Sequence, residues 1–151
     1  MPYLNPELDG VDHINIYSKG KTYLGQFLSN FTQANIETAE GTFKSIEGYW
    51  YWLSNGQDVM RDLYGYKAKQ EGKKYPRIYQ LPDETFKAKI KQACWYKMVT
   101  TDWALREMYN STLPFTHYYV FGNGVVKDAG HKWLVEMWEF YRQHVKTQWG
   151  K

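Results

Sequence analysis

The strongest pattern in the chain is the run Ile46, Tyr49, Trp50 and Leu53, apolar at i, i+3, i+4 and i+7 directly behind Ser45. That spacing is one buried face of a helix, and serine is a favoured N-cap, so a helix opens at Ile46. Glu47 lies off this stripe, in the first helical turn, where unpaired N–H groups and the helix dipole favour an ionised carboxylate. Upstream, His13-Ile14-Asn15-Ile16-Tyr17 alternates and predicts a short strand ending in the polar turn Ser18-Lys19-Gly20-Lys21. Gly25-Gln26-Phe27-Leu28-Ser29-Asn30-Phe31 follows neither period and reads as a structured loop. Residues 35–38 and 42–44 flank Ala39-Glu40-Gly41, a connection with glycine where a hairpin often needs a positive φ.

Downstream, residues 58–72 predict one or two short helices broken near Gly65, and Lys73 to Gln80 a basic loop around Pro76. Pro82-Asp83-Glu84 opens a helix whose buried face is Phe86, Ile90, Ala93 and Cys94. Asp102 is a candidate cap for the helix that Pro114 ends. Tyr118-Tyr119-Val120-Phe121 predicts a strand leading into Gly122-Asn123-Gly124, and Asp128 a cap for a last helix that turns Leu134, Met137, Trp138, Tyr141 and Val145 inward. No repeat, linker or low-complexity tract divides the 151 residues, so the expectation is one α+β domain over 1–151, mostly helical with a few short strands.

Composition narrows the function. Aromatic residues reach 19% of the chain, and tyrosine and tryptophan suit cleft walls as well as cores. The single cysteine, Cys94, excludes an internal disulfide and reads as packing. His13, His117, His131 and His144 show no pairing at ligand spacing, so no metal site is expected. No apolar run has the length of a membrane span and residues 1–10 do not resemble a signal peptide, which leads to an expected cytoplasmic location, host cytoplasm if the chain is phage-encoded. The net charge of +3 is mild, but Lys67, Lys69, Lys73, Lys74, Arg77, Lys87, Lys89, Lys91 and Lys97 crowd one third of the chain against Glu71, Asp83 and Glu84. That concentration is either a solvated face or a surface that attracts phosphate. Gly-x-Ser-x-Gly, P-loop and dinucleotide fingerprints are missing.

Three separated motifs then fall into order: Ile14-Asn15-Ile16-Tyr17; Gly25-Gln26-Phe27-Leu28-Ser29-Asn30-Phe31; and Thr42-Phe43-Lys44-Ser45-Ile46-Glu47-Gly48-Tyr49. Together they resemble the opening of the YbiA-like, or NADAR, family, with its strand ending in Phe-Tyr-Ser, its Gly-x-Phe-Ser-Asn-Phe segment, its small hairpin and its Ser-x-Glu-His-Tyr helix start. Ala68-Lys69-Gln70-Glu71-Gly72-Lys73 is similar to the family's Ala-x-x-x-Gly-Arg, and Phe121-Gly122-Asn123-Gly124 to its Trp-Gly-Asp-Gly. The chain departs from the pattern at Gly48, where the family has histidine, at Tyr51 and Ser54, and near Tyr118, where the family has an acid; Asp128 is the nearest aspartate and a possible second acid.

The resemblance implies an N-glycosidase without a cofactor, acting on ribosylamino phosphates of riboflavin synthesis or on ADP-ribosylated guanine, including guanine carried on DNA. It marks Glu47 as the carboxylate that stabilises a cationic sugar and orients water, a role with a clear counterpart in glycosidase chemistry. Asn30 is a candidate for ribose hydroxyls or the base, Phe31, Tyr49 and Phe121 for stacking or lining, Lys73 for phosphate, and the backbone of Gly122, Asn123 and Gly124 for a close approach to phosphate. Each has a structural alternative: a dipole-stabilising glutamate, a loop asparagine, core aromatics, a solvated lysine and a plain turn. Two rival functions remain, a non-catalytic nucleic-acid or nucleotide-binding module and a phage interaction protein that kept the fold.

Overall fold

The computed structural model describes residues 5–149. In chain order its regular elements are β1 (Ile14–Asn15), α1 (Tyr23–Leu28), β2 (Ile36–Thr38), β3 (Gly41–Phe43), α2 (Ile46–Asn55), α3 (Gly65–Gly72), α4 (Asp83–Val99), α5 (Asp102–Asn110), β4 (Phe115–Thr116), β5 (Tyr118–Val120), β6 (Val126–Asp128) and α6 (Lys132–Trp149). The class is α+β, dominated by helix. The elements gather into two compact units, one of residues Asn30–Thr100, the other of the segments before and after it.

In the two-segment unit, β1 pairs in parallel with β4, Ile14 opposite Phe115, and β5 pairs antiparallel with β6. Asn15 joins the two segments: its amide donates to the Tyr118 carbonyl at 2.9 Å and its side-chain oxygen accepts the Tyr118 N–H at 2.9 Å. The stretch expected as a loop is in part the short helix α1. Thr22 caps it by accepting the Gly25 N–H at 2.9 Å, and Leu24, Phe27 and Leu28 supply a buried face too short to register as a period. A Cβ at Gly25 would come 2.2 Å from the Asn15 carbonyl oxygen, so glycine is what lets this helix lie against β1.

In the continuous unit, β2 and β3 form the predicted hairpin, with Thr38 opposite Gly41. Ser45 caps α2, accepting the Gly48 N–H at 2.9 Å, and of the expected stripe Ile46, Tyr49 and Leu53 are buried while Trp50 is half-buried. The segment 58–72 resolves into a 3-10 turn, Asp58–Asp62, and α3. α4 buries Ile90, Ala93 and Cys94, while Phe86 packs edge-on against Trp50 at 4.7 Å. Burial pushes the Cys94 thiol up to about 12, in keeping with a packing residue.

Two capping expectations are corrected. The cap residue of α5 is Thr101, with Asp102 inside its first turn. Asp128 does not cap α6, which starts at Lys132; it ends β6, and its carboxylate accepts the Gly130 N–H at 2.7 Å. A short aspartate side chain reaches the backbone two residues on, and here that turn wins over the more distant helix.

Candidate functional site

The start of α2 is enclosed by backbone. Ser45 Oγ donates to the Leu63 carbonyl at 2.9 Å while it caps the helix, so the segment leaving the 3-10 turn lies directly on the first turn of α2. A Cβ at position 48 would come 2.4 Å from the Met60 carbonyl oxygen. Gly48 is therefore required by this packing, and no side chain can stand where the resembling family has histidine.

From the other side, the Asn30 carbonyl accepts the Glu47 N–H at 2.9 Å, and the Phe31 carbonyl accepts the Gly65 N–H at 2.8 Å. The Asn30-Phe31 loop thus ties the start of α2 to the start of α3. α3 turns Ala68 and Gly72 to the core, and a Cβ at Gly72 would come within 2.2 Å of the Tyr51 ring, so the two helices approach closely. That approach puts the charges of Lys69, on α3, and Lys73, its C-cap residue, within electrostatic reach of Glu47.

Glu47 itself is half-buried. Burial pushes its carboxyl up to about 7, and the opposing pull of Lys69 and Lys73 recovers only part of that rise. The helix start is expected to favour the ionised carboxylate; burial acts in the opposite sense and raises the group above the ordinary carboxylate range.

The other sequence candidates divide. Asn30, Phe31 and Lys73 are brought to Glu47 or to the helices that flank it, and Lys69, one of the lysines crowded into this third of the chain, joins them. Tyr49 is 2% exposed, its ring 4.8 Å from Phe43, and its hydroxyl donates to Glu40 at 2.9 Å while Lys89 pairs with the same carboxylate. It is a core residue that locks the β2–β3 hairpin, and it has no face left to line a pocket. Phe121, Gly122, Asn123 and Gly124 form the exposed turn of the β5–β6 hairpin. The Phe121 carbonyl accepts the Gly124 N–H at 2.8 Å, Asn123 accepts the Val125 N–H at 3.1 Å, and Gly124 has a φ of +83°, so the pattern Gly-Asn-Gly is accounted for by the turn. Asp128 is exposed on the same hairpin.

The start of α2 thus places a carboxyl that burial pushes up to about 7 within electrostatic reach of two lysines, on an α+β fold. The fold is that of YbiA: the chain matches the NMR structure of the E. coli protein YbiA with a TM-score of 0.63 at 14% sequence identity, covering 91% of this chain and 90% of that one. No family model and no curated protein matches the chain. Among the described residues, no helix is long and apolar enough to cross a membrane.

Proposed function

We propose that the chain hydrolyses the N-glycosidic bond of a ribose-phosphate or ADP-ribose conjugate, with Glu47 as the reacting carboxyl group. What supports the reading is the place of Glu47 in the first turn of α2, half-buried and within electrostatic reach of Lys69 and Lys73, where burial pushes its carboxyl up to about 7. Breaking a C1′–N bond develops positive charge on the sugar and negative charge on the leaving nitrogen. Protonated Glu47 gives its proton to the leaving nitrogen as the C1′–N bond breaks, and the carboxylate this leaves stabilises the cationic sugar and takes a proton from the water that attacks C1′, which restores the acid. Lys69 and Lys73 hold the substrate phosphate. Neutralising them removes the field that lowers the Glu47 pKa, so a bound phosphate favours the protonated form. Asn30 and Phe31, on the loop that crosses the helix start, flank the sugar and base. Hydrolysis in this scheme requires only water, and DNA enters as a carrier of the modified base.

The test is incubation with ribosylaminopyrimidine phosphates and with ADP-ribosylated guanine DNA, with released sugar measured. A second reading, a binding module for nucleotides or nucleic acid, is favoured by the exposed Tyr64, Tyr66, Lys67, Lys73, Lys74, Arg77 and Tyr79. It predicts binding of both substrates and cleavage of neither.

A further inference from the structure

α3 and the turn that ends it carry two sets of lysines. Lys69, on α3, and Lys73, its C-cap residue, have charges that act on Glu47. Lys67, on α3, and Lys74, two residues past its end, line with Leu63, Gln70 and Glu71 a cavity of about 230 Å³. Two groups in that cavity stand idle: Lys67 and Gln70 have no hydrogen bond or ion pair among the described residues. Glu71 is already engaged, by Lys74 at 3.0 Å and by the Tyr75 hydroxyl at 3.1 Å, and these partners hold its carboxyl below the usual range. The lining therefore offers an ammonium and an amide N–H group as unengaged donors, with a second ammonium that an anion competes for against Glu71.

We infer that this cavity is a second phosphate subsite, which takes a phosphate group of the substrate beyond the one held by Lys69 and Lys73. The inference rests on the reading of the Glu47 site as one for a ribose phosphate, and it narrows that reading to substrates with more than one phosphate. An uncharged ligand gains only ordinary hydrogen bonds from the lining, whereas phosphate oxygens that accept from the Lys67 ammonium and the Gln70 amide add charge-assisted bonding. The second phosphate comes either from a diphosphate or from the phosphodiester backbone of a strand.

Calorimetric titration of the wild-type protein with orthophosphate, pyrophosphate and a thymidine hexanucleotide separates these sources. The variant is Lys67→Ala with Lys74→Ala, checked against Gln70→Ala, which removes a donor without changing charge. The double variant is expected to weaken pyrophosphate or hexanucleotide binding at least fivefold, Gln70→Ala to weaken the same probe by a smaller factor, and orthophosphate binding at Lys69 and Lys73 to persist. A loss confined to pyrophosphate assigns the subsite to a diphosphate; a loss confined to the hexanucleotide, with a salt slope lower by about 1 to 2, assigns it to a strand. Unchanged binding of both probes overturns the subsite, and so does an equal loss for orthophosphate, which reports a general field. None of these outcomes uses turnover, so failure of the glycosidase reading is recognised separately.

Discussion

Replacing Glu47 by glutamine should make the protein more stable in base, because the fold carries this carboxylate at a cost. The folded group titrates at about 7 against an ordinary 4.5. Below pH 4.5 the folded and unfolded chains both hold the proton, and the raised pKa imposes no penalty. Between pH 4.5 and 7 the unfolded chain ionises first, so stability falls as pH rises, and above pH 7 the loss is complete. At about 1.36 kcal/mol per pH unit the loss has a ceiling of roughly 3 kcal/mol. The glutamine amide still pays part of the desolvation, so we expect Glu47→Gln to gain about 1–2 kcal/mol at pH 9, a rise of roughly 3–6 °C in Tm. At pH 4 the two proteins should melt together. Lys97, buried and pushed down to about 8, also titrates in this range, but equally in both proteins, and cancels in the difference. A glutamate serving only the helix dipole predicts the opposite sign, since its ionised form stabilises by about 0.3–1 kcal/mol. Thermal melts of both proteins from pH 4 to 9 decide the matter. A variant less stable than wild type at pH 9, or a difference that does not change with pH, refutes the reasoning.

Lys73→Ala should weaken binding of a phosphorylated substrate several-fold and leave its dephosphorylated counterpart nearly unaffected, because only the first offers a charge partner; equal losses would remove Lys73 from the site. Ser45→Ala removes the cap of α2 and leaves the Leu63 carbonyl unpaired, and denaturant melts should show a loss of about 1–2 kcal/mol. His117, pushed down to about 4 by burial, resists protonation in the folded chain, so its contribution to stability is present above pH 6.5 and is lost as pH falls towards 4. His117→Gln should flatten that acid limb by up to roughly 3 kcal/mol in a comparison of melts. Asp128→Asn keeps an acceptor for the Gly130 N–H, so both Tm and turnover should hold; a stable variant with turnover down by orders of magnitude would make Asp128 the second acid.

What was legible in the sequence is what neighbours in sequence decide. α2 announced itself because Ser45 and its apolar stripe lie within one short window, and the β2–β3 hairpin because Gly41 marks its turn. α1 escaped because six residues carry less than two turns, and its glycine serves a contact with Asn15, ten positions earlier. At the site, Glu47 was found through a motif, but its raised pKa follows from the Asn30-Phe31 loop and the 3-10 turn closing over it, and neither closure leaves a local signal. Lys69 was missed because α3 is polar on several faces; which lysines meet Glu47 depends on Gly72 letting Tyr51 draw that helix close. Asp128 misled because an aspartate ahead of an apolar period reads the same whether it caps the helix or closes a turn just before it.

The most direct measurement is sugar release from a ribosylamino phosphate and from ADP-ribosylated guanine DNA, followed across pH for wild type and Glu47→Gln. The account predicts release from at least one substrate, a rate that changes with an apparent pKa near or above 7, and a loss of roughly a hundredfold or more in the folded glutamine variant. No release from either substrate, or equal release by the glutamine variant, would contradict it.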